Sequence, residues 1–212
     1  MLRVYSDRKA EQILDACRDT LQKLEFTVGV PAPCLRAVLF WEITHIDILD
    51  LPADLAVRFY WFRYRLRKKL GMNPVPRLRK GPFGKRDSST GYGQIFAAVG
   101  IRAIRFALAH GFSLTELGLP DRPPDETGED LYRVWLRLHR DRDFNLTLSA
   151  LNLLSAAEER TGSGDFAGMS PEELKTTFTR YNTTAPGITA YGEEVYGYYL
   201  RFRSRSDRKE TP

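Results

Sequence analysis

Residues 34–46, CLRAVLFWEITHI, constrain the fold more than any other stretch. Apolar and aromatic side chains fall on nearly every side of a helix drawn through them. Such a helix has no face to offer water, so it belongs at the centre of a helical domain. One carboxylate, Glu42, interrupts it. A carboxylate among such neighbours is costly unless it is paired, hydrogen-bonded or protonated. Pairing with an arginine such as Arg36 is the plain structural account. The chemical account is that desolvation raises its pKa, as a general acid near neutral pH requires. His45, three residues on, reads as structural.

Helical periodicity extends over most of the rest. Ala10, Ile13, Leu14, Cys17, Leu21 and Leu24 predict one amphipathic helix over 7–25. Pro31 or Pro33 can open the central helix. Leu55, Phe59, Phe62, Leu66 and Leu70 predict a third helix, with bases on its outer face. A fourth starts after residue 95 and stops near Gly111. Two more cover roughly 129–140 and 144–160, with Asp143 as the expected N-cap of the second. SPEEL at 170–174 reads as a capping box opening a helix that ends near Tyr181 and Asn182. Ile188, Tyr191, Val195, Tyr198, Tyr199 and Phe202 give the last helix its apolar stripe. The expectation is a mainly α fold with a small β-hairpin region around residues 75–90. It forms a single domain over 1–205, with a disordered tail at 206–212.

Charge is distributed unevenly. Residues 55–86 hold eleven bases and no acid, although the whole chain has a net charge of only +5. That segment would attract an anionic polymer or surface: nucleic acid, an acidic membrane or bacterial cell wall. No recognised nucleic-acid motif accompanies it, which argues against the first. No run of about 18 apolar residues occurs, so no membrane span is expected. The opening MLRVYSDRKAEQ has no hydrophobic core of a secretory signal. Cys17 and Cys34 read as buried thiols, with a disulfide open if the protein is exported; no metal framework is present.

The stretch GKRDSSTGYGQI, 84–95, places two glycines, a glutamine and a hydroxyl cluster behind Asp87. Glycines raise the entropy cost of ordering a loop. A loop of this composition therefore suggests a close approach to something.

Three blocks, in order, resemble the goose-type lysozymes and soluble lytic transglycosylases. They are LRAVLFWEIT, RDSSTGYGQI and the stretch from SPEELKTTFTRYN to the tyrosine-rich last helix, with FNLTLSALNLL preceding the third. Gly-Tyr-Gly-Gln stands where Gly-Leu-Met-Gln is commoner. The spacing from Glu42 to Gly91 is longer than the family's, and a basic helix and loop, about 53–86, fills it as an insertion.

The resemblance implies a lysozyme-like helical fold and a muramidase, cutting the β-1,4 bond between N-acetylmuramic acid and N-acetylglucosamine in peptidoglycan. Glu42 takes the place of the catalytic glutamate. Asp87 is the leading candidate for a second carboxylate that activates water, kept ionised by Arg86; Asp47, Asp50 and Asp54 stand behind it. Ser89, Gly91, Tyr92, Gly93, Gln94, Tyr181 and Asn182 would bind substrate, the glycines letting backbone pass close to a sugar ring.

No cofactor or metal is implied. Peptidoglycan strands are the expected partner, with an immunity protein if the chain is an antibacterial toxin. Action would be in the periplasm or cell wall, after export by a secretion machine, by phage lysis or as part of a larger secreted protein. The alternatives are a lytic transglycosylase forming anhydromuramic products, and a lysozyme-like protein that binds glycan or a partner without catalysis.

Overall fold

A computed structural model describes residues 4–46, 50–74 and 85–207. Among these the protein is mainly helical, with nine α-helices and no strand. The helices are α1 Asp7–Asp15, α2 Arg18–Val28, α3 Ala32–His45, α4 Asp50–Lys69, α5 Ala97–Ala109, α6 Gly128–Arg140, α7 Arg142–Thr161, α8 Pro171–Asn182 and α9 Ala190–Asp207.

Two helices sit innermost, and both are apolar almost all round. α3 buries Leu35, Val38, Leu39, Phe40 and Ile43 and packs against α1, α2 and α9. α7 buries Phe144, Leu146, Leu148, Leu151 and Leu154 and is surrounded by α2, α3, α5, α6 and α8. α8 and α9 pack on each other, α8 also on α7 and α9 also along α3.

Local chemistry explains most helix boundaries. Ser6 caps α1 by accepting from the Lys9 amide. The helix expected over 7–25 is two, α1 and α2, broken at Ala16 and Cys17. The apolar stripe crosses the break, so Ala10, Leu14, Leu21 and Leu24 are all buried. Asp141, not Asp143, caps α7: its Oδ1 accepts from the Phe144 amide at 3.0 Å. The same residue ends α6, so one side chain turns the chain between two helices. The capping box of α8 forms as expected, Ser170 and Glu173 each accepting from the other's backbone. α9 begins at Ala190, after the exposed Ile188, and runs through Asp207, past the expected start of the tail; residues 208–212 lie outside the described part.

The face of α4 is reversed from the expectation. Ala56, Val57, Tyr60 and Trp61 are buried, whereas Leu55, Phe59, Phe62, Leu66 and Leu70 are exposed. Docking is aromatic: Trp61 stacks on Tyr132, Tyr132 on Trp135 and Trp135 on His139. Trp61 Nε1 also donates to the Arg86 carbonyl at 2.8 Å. An indole that is both stacked and hydrogen-bonded outweighs a second apolar stripe of similar size.

Residues 75–84 of the expected β region lie outside the described part. In the remainder a single antiparallel bridge, Thr90 to Ile95, closes a four-residue turn. This turn lies against α7 so closely that a Cβ on Gly93 would overlap Ser149 Oγ. Gly93→Ala is expected to cost about 1–3 kcal/mol through overpacking. In denaturant unfolding, Gly93→Ala should be less damaging on a Ser149→Ala background; strict additivity would show that the contact is not the cause.

Candidate functional site

Glu42 lies near the C-terminal end of α3, where α9 crosses it. It is 7% exposed and accepts a hydrogen bond from Tyr191 Oη at 2.8 Å. Burial pushes its pKa up to about 8, the tyrosine bond pulling weakly the other way. The arginine pairing considered above does not occur: Arg36 Nη2 binds Asp15 at 2.6 Å. Glu42 is thus a carboxylic acid that keeps its proton at neutral pH.

Aromatic rings cluster at this end of α3. Tyr191 meets the Trp41 ring edge-on at 4.5 Å, and Trp41 stacks on His45 at 3.8 Å. Trp41 Nε1 is held by Glu194 at 2.7 Å. His45 Nδ1 lies 2.8 Å from the Trp41 carbonyl, which fits the structural part expected of it. Tyr181, near the end of α8, completes the group. Its phenol pKa is raised by burial and further by the Glu42 charge, as is that of Tyr191. Tyr181 Oη donates to the Gly93 carbonyl at 2.8 Å. Tyr191 thus binds Glu42, and Tyr181 holds the turn of residues 90–95.

The turn owes its shape to Asn145 of α7. Asn145 Oδ1 accepts from the Gly93 amide at 2.8 Å, while Nδ2 donates to the carbonyls of Thr90 at 3.1 Å and Leu138 at 3.4 Å. A Cβ on Gly91, whose φ is +72°, would overlap this amide. The approach of the turn to Asn145 and Ser149 by itself requires both glycines. Gln94 is the one non-glycine residue at positive φ, +45°, among the described residues. Its side-chain amide donates to the Gly91 carbonyl at 2.8 Å.

Beside the turn is a cavity of about 380 Å³, lined by Ser89, Gly91, Tyr92, Gln94, Asp54 and His139 among others. Four of the expected substrate residues thus share one cavity. Asn182 is exposed at the last position of α8. Asp54 accepts from Ser88 Oγ at 3.1 Å and faces His139 Nδ1 at 3.4 Å. Arg58 lies 3.0 Å from His139 Nε2 and can only donate, so the imidazole proton sits on Nδ1, toward Asp54 and Thr90 Oγ1. Burial lowers the His139 pKa, which keeps the ring neutral. Sequence reading missed Asn145 and His139. The signal for Asn145 was an amide in an apolar helix; His139 had none, because its partners lie 49 and 81 residues away in sequence.

Asp87 has a different part from the one expected. Its Oδ1 and Oδ2 accept from the Ala97 and Ala98 amides at 3.0 and 3.1 Å, capping α5, whose own N-cap residue is Phe96. Burial raises its pKa, and the pull of Arg86 is the weakest of the opposing effects. This is the geometry of a helix cap. Asp47 lies outside the described residues, as does the side chain of Asp50. Cys17 and Cys34 are separate buried thiols. Among the described residues, no group of three His, Cys, Asp or Glu side chains converges to hold a metal ion.

No protein-family model, curated protein or solved structure matches the chain.

Glu42 makes stability depend on pH in a direction opposite to that of a salt-bridged carboxylate. Below pH 4.5 both folded and unfolded chains hold its proton. Between 4.5 and about 8 the unfolded chain releases it and the folded one does not, so stability falls as pH rises. Glu42→Gln should remove this slope and exceed wild type in stability above pH 8, as followed by urea unfolding across pH. Parallel curves for the two proteins would contradict the shift. Asp87→Asn should cost of order 1 kcal/mol at neutral pH, the worth of a helix cap, with circular dichroism showing the same fold.

Proposed function

We propose that this protein has a lysozyme-like fold and cleaves the β-1,4 bond between N-acetylmuramic acid and N-acetylglucosamine in peptidoglycan, with Glu42 as proton donor. The observation that carries this reading is a buried carboxylic acid, pKa about 8, held by Tyr191; the glycine turn that Tyr181 anchors lines a cavity whose lining does not include Glu42. A general acid must hold its proton at working pH and give it to the leaving oxygen as the bond breaks. The order of the three sequence blocks supports the same reading. The activity would be exercised outside the cytoplasm on cell-wall strands, and a toxin of this kind would be matched by an immunity protein.

Hydrolysis with inversion needs a second carboxylate to activate water. Asp54 fits this part better than Asp87, because it lines the cavity beside Gln94, whereas both Asp87 oxygens are held by the α5 amides. The same engagement of Asp87 favours a second reading, a lytic transglycosylase. There Glu42 acts alone, the muramic 6-hydroxyl attacks its own anomeric carbon, and an anhydro product leaves.

Mass spectra of fragments released from purified peptidoglycan test the proposal. Glu42→Gln should reduce release by roughly 10²–10⁴-fold, the worth of general-acid help. Wild-type activity should decline above pH 8 as Glu42 loses its proton. Reducing ends together with an inactive Asp54→Asn variant identify the hydrolase; anhydromuramic ends with an active Asp54→Asn identify the transglycosylase. A folded wild type that releases nothing refutes both.

A further inference from the structure

The apolar stripe of α4 remains unexplained by catalysis. Leu55, Phe59, Phe62, Leu66 and Leu70 recur at spacings of four, three, four and four, and are between 44% and 66% exposed. They run down the side of α4 opposite its buried Val57, Tyr60 and Trp61, over a length of roughly 22 Å at 1.5 Å per residue. A contiguous exposed patch of this size marks an interaction surface.

Charge narrows the occupant. Arg63 and Arg67 flank the stripe on one side; Arg58, Arg65 and Lys69 flank it on the other. Arg65 and Lys68 share one carboxylate, Glu129, and Arg58 donates to the neutral His139 ring. Arg63 lies over the Phe59 ring, and Arg67 donates to the Asn73 carbonyl. Among the described residues no carboxylate pairs with Arg63, Arg67 or Lys69. Nucleic acid or an anionic wall polymer would satisfy these bases but give the stripe no apolar medium. A second copy would set base against base on both flanks. Residues 75–84 carry three further bases and no acid, so their charge does not complement these flanks.

We propose that α4 docks the protein in the plane of an anionic phospholipid surface, its Leu/Phe stripe entering the headgroup–acyl boundary and Arg63, Arg67 and Lys69 meeting lipid phosphates. An apolar stripe between basic flanks is the design of an interfacial helix. No helix among the described residues is long and apolar enough to cross a membrane. This inference stands apart from catalysis, since it is read by binding alone.

The full chain is co-sedimented with vesicles of phosphatidylglycerol and phosphatidylcholine, and with vesicles of phosphatidylcholine alone, at low and high salt. Wild type should bind the mixed vesicles and release in salt. A triple Arg63→Glu, Arg67→Glu, Lys69→Glu variant should lose roughly a hundredfold at low salt, at about fivefold for each base near an anionic surface. A Leu55→Ser, Phe62→Ser, Leu66→Ser, Leu70→Ser variant should lose more than about tenfold, with its melting temperature unchanged because these side chains are about half exposed or more. Four results overturn the proposal. They are wild-type binding by the stripe variant, equal binding to phosphatidylcholine alone, a wild-type dimer that the stripe variant dissolves, and a stripe variant of lowered melting temperature, which would mean that the chain covers its own stripe.

Discussion

The buried amide of Asn145 is the interaction on which the site depends. It accepts from one peptide group of the 90–95 turn and donates to another, and it also donates to the Leu138 carbonyl near the end of α6. Turn, α6 and α7 are thereby fixed to one side chain. A buried donor or acceptor left without a partner costs about 1–3 kcal/mol. Losing this amide would leave the Gly93 N–H without its acceptor and remove a donor from the Thr90 and Leu138 carbonyls. Gly91 and Gly93 follow from the same contact: only a residue without Cβ lets backbone come this near to Asn145 and Ser149.

The second constraint is electrostatic. α3 must be apolar to occupy the centre, yet it carries Glu42. The conflict is resolved by protonation rather than by a counter-charge, with the nearest arginine of its helix committed to Asp15. Tyr191 satisfies one oxygen, and Tyr181 anchors the turn. A neutral acid in a dry aromatic setting is thermodynamically expensive at alkaline pH, and this expense sits where the proposed chemistry needs a proton.

Much of this was legible in the sequence because it is local. The capping box of α8, the all-round burial of α3 and the isolation of Glu42 are each decided within a few residues. What failed depended on distance. α4 has two apolar faces of similar quality, and periodicity selects the longer one. The choice between them is made by Tyr132 and Trp135, more than sixty residues away, on which Trp61 builds its stack. Asp87 read as a free carboxylate because the two amides it caps are ten and eleven residues on. The N-cap of α7 was misplaced by two residues because Asp141 and Asp143 offer the same chemistry, and only the turn from α6 selects the first.

The division of the three tryptophans gives the molecule built-in optical probes. Trp41 lies on His45 and against Tyr191, next to the acid, while Trp61 and Trp135 belong to the aromatic ladder that seats α4. Indole emission and near-ultraviolet circular dichroism are sensitive to stacking and to neighbouring charge. A change at Glu42 and a change in the seating of α4 therefore perturb different chromophores. With Trp41 replaced by phenylalanine, the remaining indole signal reports on the ladder alone, so events near Glu42 and at the seat of α4 could be timed separately in one polypeptide without an attached label.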